Sequence, residues 1–110
     1  MATRVDILGR ELKLLNKQGG YHGSLICTDQ GLLIASDGNL GSDEALAGFT
    51  SLFDDIVIRA RRDLGRQRID EITLLDPERG RIVIRPIVSD GTDRLMLVVS
   101  LPADASWRRN

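Results

Sequence analysis

The chain is short of most of the residues that chemistry-bearing sites are built from. Among its 110 residues there is one histidine and one cysteine. A lone Cys27 excludes an internal disulfide and fits a reducing compartment, and a single histidine, His22, argues against a metal site. Aromatic residues make up 4% of the chain, too few for a platform that stacks nucleic-acid bases. The phosphate-cradling pattern G-x-x-x-x-G-K-[ST] does not occur, so the chain is not expected to bind nucleotide itself. The formal net charge is -1, and no overall field draws in nucleic acid or an acidic membrane. No apolar run reaches membrane-spanning length, and the charged start MATRVDILGRELK reads as neither a secretory signal nor a transit peptide. A cytoplasmic single domain over 1–110 is the expectation, long enough to bury a core without disulfide or metal.

What the chain does have is periodic aliphatic residues. Val5, Leu8, Leu12 and Leu15 recur at spacings of three and four and predict an amphipathic helix, with Thr3 as its N-cap and Gly19-Gly20 ending it. Gly23 to Thr28 reads as a strand, Asp29-Gln30-Gly31 as a tight turn, and residues 32–36 as the returning strand of a hairpin. A loop over 37–41 leads to Ser42, a good N-cap followed by the dipole-favoured Asp43 and Glu44. Residues 69–75 and 81–87 read as a second hairpin around Pro77-Glu78-Arg79-Gly80, with Pro86 near the end of its strand. A loop over 89–93 precedes residues 95–101, whose near-continuous apolar run predicts a central strand covered on both faces. Short connections dictate antiparallel pairing. The expected architecture is therefore an α/β sandwich in the order α-β-β-α-β-β-β, a five-stranded antiparallel sheet with a helix for each face.

The long helix predicted over 42–64 carries more apolar surface than one sheet needs. Leu46, Phe49, Leu52, Phe53, Ile56, Val57, Ala60 and Leu64 fall in one sector at 100° per residue. Ile58 projects from the opposite side, in a strip with the small residues Ala47 and Ser51. A second buried surface follows, and in so short a chain a partner subunit is the natural source of it.

Particular residues in this order resemble the roadblock family, which includes dynein light chains and bacterial and archaeal GTPase regulators. GYHGSLICTDQGLLIAS looks like the family's first hairpin, with its Asp29-Gln30-Gly31 turn and a Leu-Ile-Ala-Ser return. DEALAGFTSLFDDIVIRARRDLG looks like its central helix closed by Leu-Gly, and IDEITLLDPERGRIVIRPI like its second hairpin ending in Arg-Pro. The resemblance implies a profilin-like sandwich whose central helices pack antiparallel across a dyad, with the third strands pairing edge to edge. It implies, too, a non-catalytic homodimer that binds a small Ras-like GTPase and modulates its nucleotide cycle, without cofactor or metal of its own. Most relatives continue past the fifth strand into another helix. Here Trp107-Arg108-Arg109-Asn110 ends the sequence, so that helix is expected to be short or absent, leaving a groove for a partner or for Trp107.

Candidate sites follow from both lines of reasoning. If Ile58 lies near a two-fold axis, Asp54 approaches the partner's Arg62 and Asp55 the partner's Arg61, each contact occurring twice; otherwise these charges form local pairs on a solvated face. The third strand, with Glu71 and Thr73, is an exposed edge in a monomer and a pairing surface in a dimer. Arg79 sits on a tight turn, either as an arginine finger towards a GTPase or as a plain solvated cation. Arg59, Arg61, Arg62, Arg66 and Arg68 are interleaved with carboxylates and read as a solvated helix end rather than a nucleic-acid surface. His22 reads as a surface residue, and Cys27 as a buried, unreactive thiol. No nucleophile, acid or base constellation stands out, so no catalytic residue is assigned. Two other functions fit the same pattern: a scaffold subunit clamping a non-GTPase partner, and a small-molecule sensor.

Overall fold

A computed structural model of the chain describes residues 3–87 and 94–104. The elements are α1 (Arg4–Gly19), β1 (Gly23–Thr28), β2 (Leu33–Gly38), α2 (Asp43–Thr50), α3 (Phe53–Leu64), β3 (Ile72–Asp76), β4 (Gly80–Ile87) and β5 (Leu95–Leu101). The five strands form one antiparallel sheet in the order β2-β1-β5-β4-β3. The apolar β5 therefore lies in the centre, as its composition predicts, and it is covered from both sides. On one face α1 sets Leu12 against Ile26, Ala35 and Leu95. On the other, α2 and α3 set Leu46, Ala47, Phe53 and Val57 against Leu25, Cys27, Ile84, Met96 and Val98. Each large aliphatic side chain removed from water here contributes about 1.5–3 kcal/mol.

Local chemistry explains the element ends. Thr3 accepts a hydrogen bond from the Asp6 amide at 3.1 Å while Asp6 accepts one from the Thr3 amide at 3.1 Å, a reciprocal capping box. Gly20 then takes the left-handed conformation, φ 68°, that closes α1. Ser42 caps α2 through the Ala45 amide, and Gly65, φ 67°, closes α3. Strand β3 starts at Ile72, later than the predicted 69, because its first pairing is Ile72 with Ile84. Ile69 instead tucks against the core from the connecting segment.

The single helix expected over 42–64 is a correction: the structure divides it at Ser51 and Leu52. Thr50 Oγ1 donates to the Leu46 carbonyl at 2.8 Å, and Ser51 Oγ donates to the Gly48 carbonyl at 2.7 Å. These side-chain bonds compete with the backbone ladder. The Ser51 and Leu52 amides bond three residues back, to Gly48 and Phe49, which tightens the turn. Both residues keep right-handed backbone angles, so the chain kinks rather than stops. Across this tightened turn the buried residues Leu46, Thr50, Phe53, Val57 and Ala60 still recur at spacings of four and three. The predicted stripe nevertheless divides. Leu46, Phe53, Val57 and Ala60 are buried, whereas Phe49, Leu52, Ile56 and Leu64 are exposed. The expectations for a C-terminal helix, for Trp107 and for the loop over 89–93 fall outside the described residues.

Candidate docking surface

The sheet has two edges, and among the described residues β3 is the bare one. Four of its five residues are exposed, from Thr73 to Asp76. Alternation along the strand puts Leu74 on the α2–α3 face beside Ile82, and Leu75 on the α1 face beside Arg81. Because α2 lies over β1, β2 and β5, the outer strands on that face are left largely uncovered. The result is a shallow apolar groove of ≈ 340 Å³ between α2 and the β3–β4 margin, lined by Leu40, Ala45, Leu46, Phe49, Leu74 and Ile82.

The groove is continuous with an apolar flank on the helices. Ala45, Phe49, Leu52 and Ile56 follow one another at spacings of four, three and four, and the first two line the groove beside Leu74. Phe49, Leu52 and Ile56 remain 43%, 48% and 42% exposed. A wider cleft of ≈ 750 Å³ opens at the end of the sheet, where His22, Asn39, Arg79 and Ser100 surround Leu40, Leu74 and Ile82. Apolar shelf, bare strand edge and polar cleft thus adjoin one another. This is geometry suited to holding another chain, because exposed backbone groups and a contiguous apolar patch meet along one line.

The predicted site residues are scattered relative to this surface. Ala47 is a correction: it is fully buried in the core, not on an outer strip with Ile58. The β1–β2 turn presses on it so closely that a Cβ on Gly31 would lie 3.1 Å from the Ala47 carbonyl oxygen. Ser51 is half-buried in the kink, its hydroxyl bonded to Gly48. Ile58 is exposed, but Asp54, Asp55, Arg61 and Arg62 surround it one turn away on either side. Asp54 is engaged within the chain: Arg94 Nη1 donates to its Oδ1, and the same guanidinium lies 6.0 Å from the centre of the Phe53 ring. Asp55 pairs loosely with Arg59 at 3.8 Å, and Arg62 pairs with Asp63 at 2.9 Å. Arg61 is exposed at the helix end. Glu71 lies half-buried just before β3, and Thr73 is exposed on it. Arg79 occupies the β3–β4 turn, where Asp76 Oδ1 accepts the amides of Glu78 and Arg79 at 3.0 and 3.3 Å.

The two residues weighed for reactivity sit as their surroundings predict. His22 is exposed at the entry to β1, its amide donating to the Ser100 carbonyl at 2.7 Å. Cys27 is fully buried; desolvation raises its thiol pKa, and a hydrogen bond with Thr50 offsets part of that rise. A thiol held protonated in this way is a poor nucleophile. Among the described residues no group of His, Cys, Asp or Glu is placed to hold a metal ion, and no helix is long and apolar enough to cross a membrane. Sequence reasoning missed Phe49, Leu52, Ile56 and Leu74 as surface residues. The signal was present in an apolar sector too wide for one sheet contact, but a straight helix assigns the whole sector to the core.

No protein-family model matches the sequence, and no curated protein matches it. Solved structures do. The gliding protein MglB from Thermus thermophilus superposes with a TM-score of 0.73 at 16% identity, over 96% of this chain and 79% of that one. MglB of Myxococcus xanthus gives a TM-score of 0.74 at 16% identity, over 97% of this chain and 78% of that one. A Roadblock/LC7 domain from Streptomyces avermitilis gives 0.70 at 12% identity, over 89% and 80%. The chain has the roadblock fold.

Proposed function

We propose that this chain is a homodimeric, non-catalytic regulator or adaptor of a small Ras-like GTPase. The reading is supported by one conjunction: a roadblock fold whose unprotected β3 edge runs beside an exposed apolar helix flank. A self-complementary pairing along that line would cover both liabilities at once. The paired molecule would then present a composite surface, from the two helix pairs and the sheet rim, on which a GTPase docks. Regulation follows if that surface binds the GTP and GDP arrangements of the switch loops with different affinities. Magnesium and the groups that position the attacking water belong to the GTPase in this scheme.

The size of the effect is set by that difference alone. A ligand that takes a two-state switch from 1:99 to 99:1 must prefer one state by about 10⁴-fold, and equal affinity shifts nothing. The deciding measurement is titration of the protein against a Ras-like GTPase from the same source, loaded in turn with a non-hydrolysable GTP analogue and with GDP. A regulator gives affinities that differ between the two, and a changed rate of hydrolysis or exchange. Equal affinity for both loaded forms would refute the regulatory reading. Dimerisation without any GTPase binding would favour the scaffold role instead.

A further inference from the structure

We infer that the cleft at the end of the sheet binds a small organic acid, a carboxylate carried on a short aliphatic body, and that Arg79 pairs with the carboxylate. The inference goes beyond the GTPase reading and does not depend on it. The cleft holds ≈ 750 Å³. Proteins hold small ligands in spaces of about 300–1,000 Å³. Its chemistry is one-sided, because four side-chain donors line it: the Arg79 guanidinium, the His22 ring, the Asn39 amide and the Ser100 hydroxyl. Among the described residues none of these donors is engaged. Asn39 Oδ1 accepts the Gly41 amide at 3.1 Å, which leaves the Asn39 Nδ2 hydrogens free. Among the described residues Asp76 is the one carboxylate that lines the cleft, and its Oδ1 already accepts the amides of Glu78 and Arg79 at 3.0 and 3.3 Å. Unmet donors around a guanidinium are complementary to an oxyanion.

The backbone that carries these donors is fixed before any ligand arrives. The His22 amide donates to the Ser100 carbonyl at 2.7 Å, and the Asn39 amide donates to the His22 carbonyl at 2.9 Å. Three of the four donors therefore hang from one knot of backbone at the ends of β1, β2 and β5. Gly23 lets that knot close, since a Cβ there would lie 2.9 Å from the Asn39 amide nitrogen. The opposite wall is seated as firmly. Gly80 has φ 119°, and a Cβ on it would come within 2.6 Å of the Leu101 carbonyl oxygen, so the turn bearing Arg79 rests on the end of β5. Preorganised groups lose less entropy on binding. Leu40, Leu74 and Ile82 supply the apolar wall, which suits an aliphatic body and offers nothing to a bare, hydrated inorganic ion. Asp76 selects the charge. A phosphate dianion would share the cleft with that carboxylate and be repelled by it, whereas a carboxylate brings half the charge and still matches the two-pronged guanidinium.

The test is titration of isotopically labelled protein with hexanoate, read from backbone amide shifts, with hexanamide as the uncharged match and hexyl phosphate as the dianion. Hexanoate should give saturable shifts in the millimolar range at His22, Asn39, Arg79 and Ser100. Hexanamide should bind about tenfold more weakly or worse, because it lacks the charge that the guanidinium meets. Arg79→Gln should weaken hexanoate by about tenfold, while Arg66→Gln, at an exposed arginine just past α3, should leave it unchanged. Asp76→Asn keeps an oxygen for the Glu78 and Arg79 amides and should move the preference towards hexyl phosphate. Arg79 and Asp76 are exposed, so unmoved amide signals elsewhere establish that both variants are folded. The absence of saturable shifts with hexanoate would overturn the site, as would hexanamide binding equally well or Arg66→Gln costing as much as Arg79→Gln. A wild type that preferred hexyl phosphate would overturn the choice of a carboxylate. None of these outcomes bears on the GTPase reading, which a separate titration decides.

Discussion

The two edge strands of this sheet face the same hazard and meet it differently. Strand β2 is shielded. Its register with β1 slips between Ile26 and Cys27, leaving Ile34 as the extra residue of a bulge. Helix α1 lies over β2, with Leu12 covering Ala35. Asn16 of α1 donates to both the backbone carbonyl and the carboxylate of Asp37, each at 3.1 Å. Ser36 donates to Asp43 at the start of α2 at 2.6 Å, so both helices tie into the strand. Among the described residues, strand β3 has none of this. Its register with β4 is unbroken, and four of its five residues are exposed. Bulges and covering elements are how proteins blunt an edge, and a flat uncovered edge invites another strand. Among the described residues, the molecule shields one edge of its sheet and leaves the other open.

Matched substitutions should expose that difference most strongly. Ala35→Asp places a carboxylate in the apolar contact with Leu12 under α1, and should cost about 4 kcal/mol or unfold the domain. Leu75→Asp, on the opposite edge and 54% exposed, should cost no more than about 0.5 kcal/mol to the monomer. Urea titration at high dilution reads both values, and near-equal losses would remove the distinction between the edges. The next effect is conformational. Gly38 ends β2 with φ 84°, and a Cβ there would come within 2.5 Å of the His22 carbonyl oxygen. Gly38→Ala should therefore lose about 2–3 kcal/mol, from left-handed strain and from displacement of the His22 backbone.

Much of this arrangement is legible in the sequence wherever the cause is local. Thr3, Gly20, Ser42 and Gly65 mark helix ends because caps are made by neighbours in the chain, and β1 and β5 coincide with their apolar runs. The edge position of β3 follows from hairpin connectivity. What stays hidden depends on distant parts of the chain. Asp54 is available to a partner only until Arg94, forty positions later, is found beside it. Ala47 looks like an outward-facing small residue until the Gly31 turn is found resting on α2. The kink is intermediate. Thr50 and Ser51 carry the side chains that cause it, yet nothing in their spacing foretells that both will bond backward into the helix.

A smaller effect probes how β2 is held. Asn16 is 8% exposed, and Asn16→Ala removes both hydrogen bonds to Asp37 while leaving α1 its good helix former. The Oδ1 of Asn16 finds no partner among the described residues, so part of the gain is already offset. A loss of about 1.5 kcal/mol is expected. Amide exchange should quicken in β2 first, since the tie between its end and α1 has gone. Exchange that quickened evenly across the sheet would mean that Asn16 supports the whole fold and not this edge.

The smallest change in monomer stability should come from Leu74→Lys, and it is the sharpest probe of the open edge. Leu74 is 41% exposed, and a lysine stem can lie along the same groove while its ammonium reaches water. The monomer should shift by no more than about 0.5 kcal/mol. Association is another matter, because lysine on an edge strand is among the commonest ways to forbid pairing, and two-fold symmetry brings the two ammonium groups together. If β3 is the pairing edge, the wild-type melting temperature rises with protein concentration by mass action. In Leu74→Lys that dependence should vanish while the dilute melting temperature stays put. A concentration dependence that survived the substitution would place the contact elsewhere, and β3 would then be an edge left bare for some other strand.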